Sequence, residues 1–364
     1  MPATLGTVVR EWGRIGLIGF GGPPAHVALL RELCVERRGW MDARAFEDAN
    51  AACSLLPGPA STQLAILCAH RVAGVRGALA GGAVFILPGL VMVLVLAAVT
   101  LQDDPPASVL GAAAGAGAAV VAVVARAGLE LVRASVTGEH AARRAVYLVA
   151  GAVATILVGP VVVLVLLLAG LLELALRRAA TTPTHPGLAT LPALVWMAFK
   201  VGALSYGGGF VIVPLMLDDA VRVNGWLSEA EFLNAVALGQ ITPGPVVQTV
   251  AAVGYGAAGI PGGLLASVVA FGPSFGLVIA LAPRFERLRG HAGARAFLDG
   301  AGPAAVGAIL GAAVLLAGGI TEAWQVAVLA AAALALLSGR AGVVAVLLGA
   351  AAIGVAVGLG GGPV

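Results

Sequence analysis

Long apolar runs dominate the chain, and they are interrupted at a few points that are rich in glycine and proline. Gly77–Leu101 carries no charged residue, and Ala107–Leu131 carries only Arg126 and Glu130. Each run is long enough to cross a hydrocarbon core of about 30 Å, which takes roughly 20 apolar residues as a helix. A membrane β-barrel would alternate apolar and polar residues in short segments, and the sequence lacks that alternation. The pattern therefore predicts an all-α polytopic membrane protein embedded in a lipid bilayer.

Composition agrees with this prediction. The chain has 364 residues, of which 60% are hydrophobic and only 11% are charged, too few for the surface of a water-soluble fold. The net charge of +3 comes with arginines in short loops, where they set orientation, so we expect no nucleic-acid partner. The three cysteines, Cys34, Cys53 and Cys68, form no C-x-x-C pair. We therefore expect them to be small packing residues and predict neither a disulfide framework nor a zinc site.

The sequence contains two copies of one unit, related by a constant offset of 186 residues without gaps over about seventy positions. The matched residues are Gly21 and Gly22 with Gly207 and Gly208, Gly39-Trp40 with Gly225-Trp226, Pro57-Gly58-Pro59 with Pro243-Gly244-Pro245, Gly77 with Gly263, and Phe85 with Phe271. Chance does not explain so many matched glycines, prolines and tryptophans at one offset. We predict a first repeat at residues 1–178, a linker at 179–192 and a second repeat at 193–364.

Each repeat is predicted to contain the same series of elements. In the first repeat these are a helix broken at the glycines (Val8–Leu33), a short pair hinged on P-G-P (Arg44–Leu56 and Ala60–Val72), two full spans, and Val146–Leu176, which Gly159-Pro160 splits. Each member of the short pair reaches only about 20 Å at 1.5 Å per residue, so the pair is predicted to be a re-entrant helical hairpin. Counting the broken helix as one crossing gives five crossings per repeat. The whole chain then has about ten crossing helices, two broken helices and two re-entrant hairpins.

Loop charges indicate how the two repeats are oriented, because positively charged loops face the cytoplasm. In the first repeat the broken helix ends among the basic residues Arg31, Arg37, Arg38 and Arg44. At the same point the second repeat has only Arg222 among the acidic residues Asp218, Asp219, Glu229 and Glu231. We therefore expect the repeats to have inverted topology. Inverted repeats whose broken helices meet near the bilayer midplane are typical of secondary transporters.

The breaks in the helices supply chemistry suited to an anion. A half-helix that begins at proline offers unpaired N–H donors and a partial positive charge. Carboxylates are scarce at these breaks, which favours a small tetrahedral oxyanion over a cation. The predicted binding residues are Gly21, Gly22, Pro23, Pro57, Gly58, Pro59, Ser61, Thr62, Gln63, Gly207, Gly208, Gly209, Gln240, Thr242, Pro243, Gly244, Pro245 and Gln248.

A few ionisable residues within the apolar segments are further candidates, because such residues are costly in a membrane and therefore informative. Arg14 and Lys200 occupy equivalent positions before the glycine breaks, and we predict that they attract the anion. Arg126 is a weaker candidate, and Arg14 has the alternative role of an arginine that reaches to the interface. His26 is a candidate proton carrier, with a packed neutral histidine as the alternative. We expect no metal ion and no cofactor.

These motifs resemble the chromate ion transporter family. The segments that carry the resemblance are "GFGGPPAHVALLRE", "LLPGPASTQ", "SYGGGFVIVPL" and "GQITPGPVVQT", with Gly-Trp between them in each half. The resemblance covers the whole chain and matches the long form in which two halves are fused. It implies a bacterial inner-membrane protein that exports chromate, with sulfate as a similar oxyanion, driven by a proton or potential gradient. The family often has a glutamine before the first P-G-P, whereas this chain has Ser54 in that region and Gln240 in the second half.

Other functions remain open at this point. Uptake of sulfate or another anion, or a passive anion channel, would use the same residues and would differ in the direction and driving force of flux. An intramembrane enzyme is disfavoured, because the few histidines and carboxylates are scattered and form no nucleophile–base pair or metal cluster. The oligomeric state is also open, with a homodimer as one possibility.

Overall fold

A computed structural model describes residues 4–20, 22–56, 58–102, 105–135, 141–158, 190–205, 212–282 and 292–363. Within these ranges the chain forms thirteen α-helices and no strand. They are α1 (Leu5–Ile18), α2 (Pro23–Arg31), α3 (Ala43–Leu55), α4 (Ala60–Thr100), α5 (Ala107–Ser135), α6 (Ala141–Val158), α7 (Thr190–Leu204), α8 (Ile212–Leu217), α9 (Glu229–Ile241), α10 (Thr249–Leu281), α11 (Ala292–Ala317), α12 (Ala323–Leu337) and α13 (Val343–Leu359).

Three of the described helical stretches are long and apolar enough to cross a membrane: Ala60–Thr100, Ala107–Val132 and Val246–Leu281. Four shorter apolar helices accompany them, at Leu191–Leu204, Pro303–Ala317, Ala323–Leu337 and Val343–Leu359. Together they form a multi-pass, all-helical membrane protein, which confirms the predicted fold class at this level. Residues 159–189 lie outside the described residues, and they include the predicted Gly159-Pro160 break and most of the predicted linker.

The glycine break in the first repeat turns the chain back on itself. The carboxylate of Glu11 in α1 accepts a hydrogen bond from Arg38, which follows α2, and the rings of Trp12 and Trp40 stack with centroids 6.0 Å apart. A helix that continued through the break would separate Glu11 from Arg38 by about 40 Å. Gly22 makes the turn with a φ of 74°, a conformation that favours glycine.

The helix-breaking glycines therefore close a helical hairpin, and the prediction of a broken crossing helix is wrong. The second repeat behaves in the same way, because Lys200 of α7 pairs with Asp219, beyond α8, at 2.6 Å. The predicted count of five crossings per repeat included this element as a single crossing. The sequence pattern is the same for a broken span and for a hairpin, and only long-range contacts distinguish them.

A second hairpin follows, with P-G-P at its tip, and here the predicted boundaries are close to those observed. Arg71, near the end of the returning arm, donates to the carbonyl of Ala45 at 3.2 Å. The open end of this hairpin therefore lies at these two residues. The returning arm is the first part of α4. At Ala73 and Gly74 the backbone leaves the helical region, and α4 reverses direction before its long second part. A Cβ atom added at Gly81 would meet Ala69, so the two parts of α4 pack closely against each other.

The two repeats share backbone details as well as sequence. Both contain a six-residue π-helix, at Glu32–Arg37 and at Asp218–Val223. The tip glycines Gly58 and Gly244 have φ values of 118° and 97°. These equivalences follow the predicted offset of 186 residues.

Beyond the tips the structural match shifts by one residue. Gly74 (φ 64°, ψ −158°) corresponds to Gly259 (φ 62°, ψ −154°), an offset of 185 residues. The ungapped matches of Gly77 with Gly263 and of Phe85 with Phe271 are therefore wrong by one position. The cause is a 3-10 turn at Val246–Gln248. Three residues at about 2.0 Å per residue span the same length as four α-helical residues at about 1.5 Å, so the second repeat needs one residue fewer.

The long second parts of α4 and α10 cross each other in opposite directions. A Cβ atom added at Gly82, early in this part of α4, would meet the ring of Phe275, late in α10, at 2.5 Å. Gly263, early in this part of α10, lies against Leu94, late in α4. Outside this central pair, α5 packs closely on α13 through Gly111, whose added Cβ would overlap the carbonyl of Gly354. The glycines thus provide the close helix–helix approach that the composition predicts.

Candidate anion-binding site

The breaks of the two repeats meet in one place. The amide of Gly58, at the first P-G-P tip, donates to the carbonyl of Ser205 at 3.0 Å, where α7 ends. In the same way the amide of Gly244, at the second tip, donates to the carbonyl of Gly19 at 3.1 Å, where α1 ends. Ser205 and Gly19 occupy equivalent positions in the two repeats. We call Gly19, Gly58, Ser205 and Gly244 the central cluster.

Two helix N-termini lie next to the central cluster. α4 begins at Ala60, directly after Pro59, and no side chain caps it. After Pro245 the 3-10 turn at Val246–Gln248 begins, also without a side-chain cap. The first N–H groups of a helix have no partner within the helix, and they carry its partial positive charge. The tip amides of Gly58 and Gly244 are already bonded across the repeats, so the free donors belong to the helical turns that follow them.

Several buried polar side chains near these tips have atoms without a hydrogen-bond partner. They are Oγ1 of Thr62, Oγ of Ser205, Nε2 of Gln240, Oε1 of Gln248 and Oγ of Ser274. The residues Thr62, Ser205, Gln248 and Ser274 are fully buried, with 0% exposure. An unpaired buried polar atom costs about 1–3 kcal/mol, so such a concentration around two helix N-termini indicates a place where a ligand or water completes the hydrogen bonding.

Two of these residues, Ser205 and Ser274, were not predicted as site residues. Ser205 directly precedes the second glycine break, a position that could have indicated its role. Ser274 lies in α10, and only the fold brings it to the first tip, where a Cβ added at Gly58 would be 2.9 Å from its hydroxyl oxygen. The amide of Gln63 lies beside the same glycine. A residue of the second repeat therefore lines the tip of the first.

Other predicted donors are already engaged. Gln248 donates through Nε2 to the carbonyl of Ile86 at 2.6 Å, which leaves only its carbonyl oxygen unpaired. The hydroxyl of Thr242 donates to the carbonyl of Leu238 at 2.9 Å. The hydrogen bond of Gln248 ties the second tip to α4 of the other repeat, so this side chain stabilises the meeting of the two repeats.

His26 connects three of the breaks. Its Nε2 lies 2.9 Å from the carbonyl of Gly19, and its Nδ1 lies 3.2 Å from the hydroxyl of Ser61. Because a carbonyl oxygen only accepts, we assign the proton to Nε2, and Nδ1 then accepts from Ser61. The carbonyl of Gly19 thus receives donors from His26 and from Gly244 at once. The ring also meets Phe85 edge to face, with centroids 5.0 Å apart.

The predicted basic residues lie along the helices and are not part of the central cluster. Lys200 pairs with Asp219 at 2.6 Å, so its charge is balanced within its own hairpin. Arg14 is exposed and lines a small cavity of about 60 Å³ between α1 and α2. Arg126 donates to Glu130 and to the carbonyl of Leu336, each at 2.7 Å, which places it beside α12.

Among the predicted backbone positions, Pro23 begins α2, and Pro243 places its carbonyl against Gly89 of α4. Pro59 and Pro245 precede the helical turns described above. The predicted residues Gly21, Pro57, Gly207, Gly208 and Gly209 lie outside the described residues.

A cavity of about 480 Å³ lies near the first turns of α9, and no residue of the central cluster lines it. It lies between the start of α5, the start of α9 and the loop that joins α11 to α12. Its lining includes Glu229, Glu231, Asn234, Thr321 and Gln325.

The fold and site define a multi-pass helical membrane protein with a buried polar centre between two pairs of helical hairpins. The family model described as "Chromate transporter" matches the chain twice, over residues 6–174 and 192–355. This chain belongs to the chromate transporter family.

Curated relatives agree with this assignment. The chromate transport protein of Cupriavidus metallidurans is 32% identical, over 86% of this chain and 83% of the relative. The "Probable chromate transport protein" of Synechococcus elongatus is 31% identical, over 83% of this chain and 82% of the relative. The chromate transport protein of Pseudomonas aeruginosa is 28% identical, over 85% and 80%. No solved structure matches the chain.

Proposed function

We propose that this protein is a secondary active transporter that exports chromate, or a similar tetrahedral oxyanion such as sulfate, across the bacterial inner membrane. The observation that carries the proposal is the pair of reciprocal hydrogen bonds, from Gly58 to Ser205 and from Gly244 to Gly19, which bring the helix breaks of both repeats together. Around them lie uncapped helix N-termini and unpaired buried hydroxyl groups. Such donors suit an oxyanion, and the names of the relatives support chromate as its identity.

The proposed topology is a pair of inverted repeats, residues 1–178 and 193–364, joined by a linker at 179–192. Two observations support it: the antiparallel crossing of α4 and α10, and the two separate matches to the family model. In this topology each repeat inserts its two hairpins from its own face of the membrane. Arg37, Arg38 and Arg71 at the open ends of the first pair mark the cytoplasmic face.

Transport follows from relative movement of the two repeats. The anion enters from the cytoplasmic face, binds at the central cluster, and leaves on the opposite face when the hairpins of the second repeat separate from those of the first. The movement exchanges the hydrogen bonds between each tip and the opposite break for bonds to the anion or to water. The cavity beside α9, whose lining includes Glu229 and Glu231, is the proposed exit path.

The test is chromate transport by everted inner-membrane vesicles from a sensitive bacterial host that expresses the full chain. We expect energised vesicles to accumulate chromate, and intact cells to take up less chromate and tolerate more. Accumulation equal to that of vesicles without the protein would overturn the proposal. Excess sulfate that competes with chromate would show that the site accepts tetrahedral oxyanions as a class.

The same vesicles separate the alternative functions. Anion accumulation in right-side-out vesicles would favour an uptake transporter. Flux that follows only the gradient of the anion itself would favour a passive channel. Collapse of accumulation when the proton and potential gradients are dissipated would support secondary active transport.

A further inference from the structure

The two P-G-P tips have similar backbone conformations, but the side chains around them differ. The first tip, at Gly58, is lined by Ser205 and Ser274, which belong to the second repeat. The equivalent residues near the second tip, Gly19 and Gly89, are glycines without side chains. The pseudo-twofold arrangement of the backbone therefore does not extend to the hydrogen-bonding groups.

Three free hydroxyl groups belong to the first tip. Ser205, Ser274 and Thr62 each have a fully buried hydroxyl oxygen with no partner. Thr62 lies in the first turn of α4, whose N-terminus has no side-chain cap. A hydroxyl group rotates freely and can donate to any oxygen that occupies the space in front of it.

The second tip offers fewer free donors: among the described side chains beside it, the unpaired donor is Nε2 of Gln240. The side-chain amide of Gln248 donates to the carbonyl of Ile86, and the hydroxyl of Thr249 donates to the carbonyl of Val246 at 2.8 Å. The atom of Gln248 that stays unpaired is its carbonyl oxygen, which repels an oxyanion. The carbonyl of Pro243 packs directly against Gly89, which leaves no room for a side chain there.

We propose that the transported oxyanion binds off the pseudo-twofold axis, at the Gly58 tip, where the hydroxyl groups of Ser205, Ser274 and Thr62 and the N-terminus of α4 hold it. This inference rests on the proposed function. It assigns the two repeats different roles, since the second repeat supplies two of the three hydroxyl groups at the tip of the first. The Gly244 tip joins the repeats in this conformation through its bond to Gly19 and does not bind the anion.

Serine-to-alanine variants of the full chain test the proposal. Ser205→Ala and Ser274→Ala each remove one donor to a doubly charged anion, so we expect the KM for chromate in everted vesicles to rise about tenfold or more in each variant. Ser267→Ala is the matched control, because Ser267 is buried on the same helix two turns before Ser274. Thr249→Val tests the opposite tip, and for both of these variants we expect the KM of the wild type.

Thermal unfolding of the purified variants separates loss of binding from loss of folding. Removing a buried hydroxyl that has no partner in the free protein should leave the unfolding midpoint unchanged or raise it, while the increase caused by chromate should shrink. A midpoint lowered by Ser274→Ala without anion would overturn the proposal, because the hydroxyl would then have a structural partner.

The kinetic outcomes are equally distinct. Ser205→Ala and Ser274→Ala variants with the KM of the wild type would overturn the asymmetric site while leaving the proposed function intact. A larger effect of Thr249→Val would place the anion at the other tip and also overturn it. A wild-type protein that moves no oxyanion would instead overturn the proposed function, and the asymmetric site with it.

Discussion

Alanine substitutions at the two tip glycines give a matched comparison of the two tips. Gly58 and Gly244 have φ values of 118° and 97°, a region that residues with a side chain rarely adopt. Alanine at either position therefore carries a backbone cost of about 1–3 kcal/mol. The backbone cost is nearly the same at the two positions, so the free energies of unfolding of the two variants should fall by similar amounts.

The new methyl groups meet different surroundings. At Gly58 the added Cβ lies 2.9 Å from the hydroxyl oxygen of Ser274 and also meets the side chain of Gln63. At Gly244 the nearest atom is the carbonyl oxygen of Phe85, at 3.7 Å, an ordinary contact. Both side chains near Gly58 can rotate away, so the added strain there is small. The methyl group nevertheless meets the hydroxyl oxygen of Ser274, one of the proposed donors.

We therefore expect Gly58→Ala to weaken chromate binding by at least about tenfold, the loss of one charge-assisted hydrogen bond, and Gly244→Ala to retain it. The measurements are the unfolding midpoint of purified protein with and without chromate, and the initial rate in everted vesicles per amount of folded protein. Equal loss of chromate affinity in the two variants would refute the reasoning, because backbone strain alone would then account for both.

Three further predictions concern neighbouring residues. Gly89→Ala should lower the unfolding midpoint and the yield of folded protein, because its Cβ overlaps the carbonyl of Pro243, whereas Gly276→Ala, with no atom within 4 Å of its Cβ, should behave as wild type. Lys200→Ala should destabilise the protein by about 3–5 kcal/mol because it leaves Asp219 unpaired. If the Lys200→Ala/Asp219→Ala double variant recovers both stability and transport, the pair is structural. If the double variant recovers stability alone, Lys200 also attracts the anion. His26→Gln should preserve hydrogen bonds to its neighbours and flatten the pH profile of transport, and a profile unchanged from wild type would exclude His26 as a proton carrier.

The sequence alone predicts the elements whose local chemistry determines them. The arms of the first P-G-P hairpin, predicted at Arg44–Leu56 and Ala60–Val72, are observed at Ala43–Leu55 and from Ala60 to the reversal at Ala73 and Gly74. Proline and glycine fix the tip because they interrupt helical hydrogen bonding at defined positions. The repeat is likewise evident in the sequence, because the residues that break helices recur at one offset.

Features that depend on distant contacts could not be predicted. A helix broken by glycines and a hairpin turned by glycines have the same pattern, and the contact between Glu11 and Arg38 that distinguishes them joins residues on opposite sides of the break. Ser274 is one of several small residues in an apolar helix, and only the crossing of α4 and α10 brings it to Gly58. The one-residue shift after Pro245 arises from a change of helix type, which composition does not reveal.

Covalent fusion of the two repeats has a consequence for how such a centre can evolve. A protein assembled from two identical single-repeat chains would carry the same residue at both equivalent positions, so a serine at one break would always face a serine at the other. In the fused chain the two positions of each equivalent pair can differ, as Ser205 differs from Gly19 and Ser274 from Gly89. One half can therefore accumulate polar groups while the other keeps the glycines that allow close packing, and a single gene duplication provides both specialised partners.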